Sequence, residues 1–138
     1  MSPSVAGYSG APLAQKLGIS EGSCVFPIDA PADYRQMLAP APPGVTFVTT
    51  VSSRVDVLHL FVYKRSMLEK KLTSLRNRIR SNAALWVSWP KKAAKVPSDL
   101  NEDIIRKVAL PMGYVDVKVC AVNGIWSGLK LVIRKELR

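Results

Sequence analysis

Histidine, cysteine and mid-chain glycine are scarce in this sequence, and each scarcity excludes something. The 138 residues hold one histidine, His59, and two cysteines, Cys24 and Cys120. That supply builds neither a spaced zinc set nor a redox pair, so no metal is expected. So few cysteines suit a reduced compartment, and a cytoplasmic protein is expected. No glycine occurs between Gly44 and Gly113, and the Walker phosphate-loop pattern is missing altogether. No apolar run approaches the roughly 18 residues that cross a membrane. The first residues, MSPSVAGYSGAPLAQ, carry no basic flank followed by an apolar stretch, so no secretory signal is read there. Paired carboxylates placed for acid–base work do not stand out either.

What is present is enough for a core. Hydrophobic residues make up 48% of the chain, which excludes intrinsic disorder. A chain of this length buries roughly two thirds of its unfolded surface without staples. The expectation is a flexible amino-terminal arm at 1–10 and a single α/β domain at 11–138.

Charge is strongly localised. The formal net charge is +10, and ten of the 20 basic residues lie between Lys64 and Lys95, with Glu69 as the sole acid there. The remainder of the chain is close to neutral. Such a run attracts polyanions and phosphates, and the attraction weakens with salt. The plainer account is a solvated helix surface that happens to be basic.

Periodicity gives the elements. A short helix is expected over 11–17, closed by Gly18 in the left-handed position. Residues 23–28 read as a strand buried on both faces, with Pro27 as a local irregularity. A helix over 30–38 has Pro31 in its first turn, and 45–48 is a second short strand. Residues 55–63 (VDVLHLFVY) form the clearest central strand. The link between those two strands is too short for an ordinary parallel crossover, so they either cross in extended form or form a hairpin. Ser66 and Glu69 have the spacing of a capping box, and Leu68, Leu72, Leu75 and Ile79 make one apolar stripe, with arginines in the last turns. ALWVSW at 84–89 is a buried strand stopped by Pro90. Pro97-Ser98 opens a helix with an acidic first turn, ended by Pro111 and Gly113. Two alternating strands, 115–122 and 129–134, flank Asn123-Gly124, a dipeptide suited to a tight turn.

Strands alternating with helices imply a three-layer, mostly parallel α/β sheet, and the last two strands add an antiparallel pair. This order resembles the Rossmann-like methyltransferase architecture in a shortened form. Three segments carry a narrower resemblance: Gly7-Tyr8-Ser9-Gly10 with Lys16-Leu17-Gly18-Ile19, then Leu85-Trp86-Val87-Ser88-Trp89-Pro90-Lys91-Lys92, and Trp126-Ser127-Gly128-Leu129-Lys130. Together they resemble a family of small bacterial proteins known as domain of unknown function 3052. That resemblance implies a cytosolic bacterial protein and no particular activity.

A nucleoside cofactor on such a scaffold wants a glycine-rich turn after the first strand and an acid at the end of the second. The first turn here is Asp29-Ala30-Pro31-Ala32, and the second strand runs into Thr49-Thr50. No cofactor is therefore expected. His59, mid-strand, reads as a hydrogen-bonded core residue, and the two cysteines read as small buried hydrophobes. Open parallel sheets bind ligands beyond the carboxyl ends of their strands. Asp29, Lys64, Arg65, Trp89, Lys91, Lys92 and Trp126 are the candidate site residues on that basis. Lysines beside an indole suit a phosphorylated small molecule, a nucleotide or nucleic acid. The leading expectation is a non-catalytic binding module for such an anion through 64–95. The alternative is an enzyme on a degenerate S-adenosylmethionine methyltransferase-like scaffold.

Overall fold

The computed structural model describes residues 11–138, so the arm expected at 1–10 lies outside the described residues. The strands are β1 (Cys24–Ile28), β2 (Thr46–Phe47), β3 (Val57–Phe61), β4 (Ala84–Pro90), β5 (Tyr114–Ala121) and β6 (Trp126–Ile133). They form one sheet in the order β2-β1-β3-β4-β6-β5. The first four are mutually parallel, while β6 runs antiparallel to both β4 and β5. The helices are α1 (Leu13–Lys16), α2 (Tyr34–Met37), α3 (Arg65–Arg76) and α4 (Glu102–Ala109). None of them is long and apolar enough to cross a membrane.

Side-chain alternation assigns the layers. From β3, Leu58 and Leu60 join Leu68, Leu72 and Leu75 of α3 and Ile105 and Val108 of α4 in one core. Val57 and Phe61 face the opposite way, with Ala14 of α1, Tyr34 of α2, Trp86 and Trp126. Every residue of β3 is therefore buried, which is why 57–61 shows no solvent-facing polar side.

The short link after β2 crosses in extended form. Both β2 and β3 are parallel to β1 and flank it, so no hairpin forms. Pro27 is tolerated for a geometric reason. Ser23 and Val25 present their carbonyls to Thr46 and Val48, so alternate residues of β1 point their amides towards β2. Pro27 has the same parity but lies beyond the end of β2, so its missing N–H deserts no partner.

Other expectations shift. The helix expected over 30–38 contracts to Tyr34–Met37. The capping box is not formed: Lys64 is the N-cap of α3 and no side chain of that segment caps it. Asp99 does so from a distant loop, accepting the Arg65 amide at 2.7 Å. A carboxylate there answers both an orphan donor and the helix dipole, leaving Ser66 and Glu69 inside the first turns. The helix also ends at Arg76, so Arg78 and Arg80 lie outside it. On α4 the cap is Asn101, whose Oδ1 accepts the Ile104 amide at 2.9 Å.

Candidate functional site

The order β2-β1-β3 means the chain leaves β1 first to one side and then to the other. Carboxyl ends that flank such a reversal are where open α/β sheets hold ligands. Asp29 follows β1 there. Its φ of 56° is a left-handed conformation usually given to glycine, though aspartate also adopts it. The turn thus keeps the bend of a glycine-rich loop while carrying a Cβ and a carboxylate. Lys71 of α3 lies 3.8 Å from the Asp29 carboxylate, a largely exposed pair.

Next to this turn is a cleft of about 440 Å³ lined by Pro27, Tyr34, Arg35, Phe47, Val48 and Thr49, among others. Arg35 lies over the Phe47 ring at 4.4 Å from its centroid. The Tyr34 hydroxyl turns inward, 2.8 Å from Nδ1 of His59, and Nε2 of His59 is 2.7 Å from the Ser88 hydroxyl. Burial pushes the imidazole down to about 3, so His59 is neutral, and pushes the Tyr34 phenol well above its ordinary value. His59 stacks on Phe61 at 4.3 Å and is the hydrogen-bonded core residue expected of it. Its partners Tyr34 and Ser88 lie 25 and 29 residues away in sequence, and no local signal announces either.

A second cleft of about 400 Å³ opens at the carboxyl end of β4. Trp89, Lys91, Lys92, Ser98, Asp99 and Asn101 line much of it. Of the candidate site residues, this cleft gathers Trp89, Lys91 and Lys92. Lys64 and Arg65 follow β3, where the Arg65 guanidinium pairs with Glu69 at 3.7 Å. Neither indole is an open platform, since Trp89 and Trp126 are 7% and 6% exposed. Tyr63, by contrast, is 46% exposed and rests on Trp126 at 5.4 Å. Asp29 stands apart from them, at the end of β1 with its carboxylate turned to Lys71 of α3.

The basic run is not one surface. Arg80 reaches the amino end of the sheet, where Nη2 is 2.6 Å from Asp56. Asp56 also accepts the Cys24 amide at 2.7 Å, and these bonds hold its carboxyl below the usual range against the opposing effect of burial. Arg76 is spent on the Met112 carbonyl at 2.8 Å. Lys71 and Arg78 border a separate recess of about 230 Å³ beneath Thr49 and Thr50. Sequence proximity could not show this, because a helix and its exit turn distribute neighbouring residues around every side. The cysteines differ from expectation as well, since both are free thiols and only partly buried. Among the described residues no cluster of histidine, cysteine or carboxylate side chains could hold a metal ion.

Comparison with known proteins gives the fold a context. No family model matches the chain. No curated protein matches it either. Solved structures do. A methyltransferase from Aquifex aeolicus that depends on S-adenosylmethionine superposes with a TM-score of 0.65 at 14% identity, covering 88% of this chain and 88% of that one. The magnesium protoporphyrin IX methyltransferase of Synechocystis, solved with bound S-adenosylmethionine, gives 0.60 at 13% identity, over 88% of this chain and 74% of that one. Fibrillarin from Aeropyrum pernix, also holding S-adenosylmethionine, gives 0.53 at 12% identity, over 87% and 73%. The fold is the methyltransferase-like Rossmann fold. This corrects the leading expectation of a non-catalytic anion-binding module, because many of the solved structures sharing nearly the whole chain's architecture are methyltransferases.

Proposed function

We propose that the protein is an enzyme on a shortened S-adenosylmethionine methyltransferase-like scaffold, with a nucleoside-bearing ligand at the carboxyl ends of β1 and β2. The observation that supports this reading is the shared architecture over 88% of the chain, with a cleft at the carboxyl ends of β1 and β2. Fold likeness is an analogy for function, and the site supplies the chemistry. S-adenosylmethionine, when bound, supplies a methyl group on a sulfonium that a nucleophile can attack. This chain departs from the usual means of holding it, because Asp29 bears a Cβ where close backbone approach is wanted and the chain leaving β2 runs into Thr49 and Thr50 with no acid. The cleft beside them offers other means. Phe47 and Arg35 provide faces for a planar base, and Thr49 provides a hydroxyl for ribose. Tyr34, its hydroxyl committed to His59, contributes its ring as a wall.

The same proposal places the chain in the family called domain of unknown function 3052, on the strength of Trp89-Pro90-Lys91-Lys92 and Trp126-Ser127-Gly128. With that goes a bacterial, cytoplasmic protein, which the two free thiols support.

Titration calorimetry and thermal unfolding with S-adenosylmethionine and S-adenosylhomocysteine test the reading. A ligand at a hundred times its dissociation constant stabilises the native state by about 3 kcal/mol, which raises the midpoint on the order of 10 °C for a chain of this size. Phe47→Ala is expected to weaken that binding roughly tenfold through the lost ring face. No heat and no midpoint shift with either compound at millimolar concentration would defeat the proposal.

A further inference from the structure

The rim of the sheet at β3 and β4 sets an exposed aromatic ring among cations. Tyr63 is held there from two sides. Its carbonyl accepts the Ser98 hydroxyl at 2.7 Å and the Asp99 amide at 3.2 Å. Its ring meets Trp126 at 63° between planes, and Trp126 is backed in turn by Phe61 at 5.0 Å. Nearly half of the tyrosine nevertheless remains open to solvent. A large aromatic side chain seated on a buried indole, yet left uncovered, is a rigid platform.

The surroundings are basic. Lys64 follows Tyr63 directly, and the Lys91 amide donates to the Ile125 carbonyl at 2.7 Å, beside Trp126 in the same hairpin. Lys91 and Lys92 then line the cleft at the end of β4. The nearby carboxylates are Asp99, which is engaged in capping α3, and Glu69, which is paired with Arg65. Among the described residues, cations outnumber acids along this rim, and it is the same sheet end at which the proposed ligand cleft opens.

We infer that the substrate presented to this rim is a single-stranded nucleic acid, with a base resting on Tyr63 and neighbouring phosphates held by Lys64, Lys91 and Lys92. The inference rests on the enzyme reading above for the word substrate, and on this surface alone for binding. A duplex keeps its base faces stacked within itself, so a lone tyrosine face selects unpaired strands, and it does so without reading sequence. The lysines add affinity that falls with salt.

Fluorescence anisotropy on the full chain tests this, with labelled oligo-dT and oligo-rU of roughly 12 nucleotides and a hairpin duplex as probes. Titrations at about 50 and about 200 mM salt give the electrostatic slope. Tyr63→Ala is expected to raise the single-strand dissociation constant roughly 5- to 150-fold, and Tyr63→Phe to leave it near wild type, since stacking needs only the ring. The Lys91→Ala, Lys92→Ala double variant is expected to flatten the salt slope by about 1.4, the contribution of two phosphate contacts. The dT and rU arms distinguish DNA from RNA. Binding by Tyr63→Ala equal to wild type, equal affinity for the duplex, or no binding at the lower salt overturns the inference. Failure of S-adenosyl compounds to bind, with the oligonucleotide results as expected, overturns the enzyme reading and leaves this surface standing.

Discussion

Lowering the pH from 7 to 4.5 isolates one buried group in this protein. His59 is the only histidine in the sequence, and it is completely buried between Tyr34 and Ser88. Its folded-state value of about 3 compares with 6.5 when the chain is unfolded. Between those values the unfolded chain takes up a proton that the folded chain refuses. Stability is therefore full above pH 6.5 and is lost as the pH falls towards 3. At pH 4.5 the difference is two pH steps at 1.36 kcal/mol each, about 3 kcal/mol. That is a sizeable share of the total stability of an ordinary domain. Carboxylates such as Asp56 and Asp116, held below their ordinary value, act mainly at lower pH, so they leave this window to the imidazole. Urea unfolding at pH 7, 5.5 and 4.5, read as free energy at constant slope, measures the loss. His59→Gln keeps hydrogen-bonding capacity, does not titrate, and is expected to show a much flatter dependence. A wild-type free energy unchanged within about 0.5 kcal/mol from pH 7 to 4.5 would refute the burial argument.

Two structural predictions concern places where distant segments meet. Trp86→Phe removes the indole N–H that donates to the Leu17 carbonyl at 2.9 Å, and it should cost about 1 to 2 kcal/mol. The loss should appear locally as faster amide exchange around α1, because that bond ties the short helix to β4. Gly113 has φ of +97°, and a Cβ there would lie 2.8 Å from the Leu137 side chain and 3.0 Å from the Arg76 guanidinium. Gly113→Ala should therefore lower the unfolding midpoint, with a cost of at least about 1 kcal/mol from backbone conformation alone. A midpoint equal to wild type would contradict it.

The parts legible in the sequence were those with a local cause. Leu68, Leu72 and Leu75 repeat at helical spacing and are buried on α3, while Ile79, the fourth of the expected stripe, is buried beyond the helix's end. Buried strands β3 and β4 appear as largely apolar runs, broken only by His59 and Ser88, because helices cover both of their faces. The candidate site was legible in part. The rule that ligands gather at carboxyl ends located the rim, and the cleft at Lys91 and Lys92 lies on it. Which aromatic side chain stays open there was not legible, since exposure depends on what packs above a ring. Trp89 and Trp126 are covered, while Tyr63 is not.

The fold class, an alternating α/β chain with an antiparallel finish, followed from sequence alone, because hydrophobic period and turn residues act over a few positions. The partition of the basic run followed only from folding. Arg80 turns to Asp56 at one end of the sheet, while Lys92 remains at the other, and residues 12 apart are separated by a full strand. Asp99 capping α3 and the Tyr34–His59–Ser88 chain are of the same kind. Each joins segments that meet only after strand order is set, and strand order is a property of how the whole sheet closes its core.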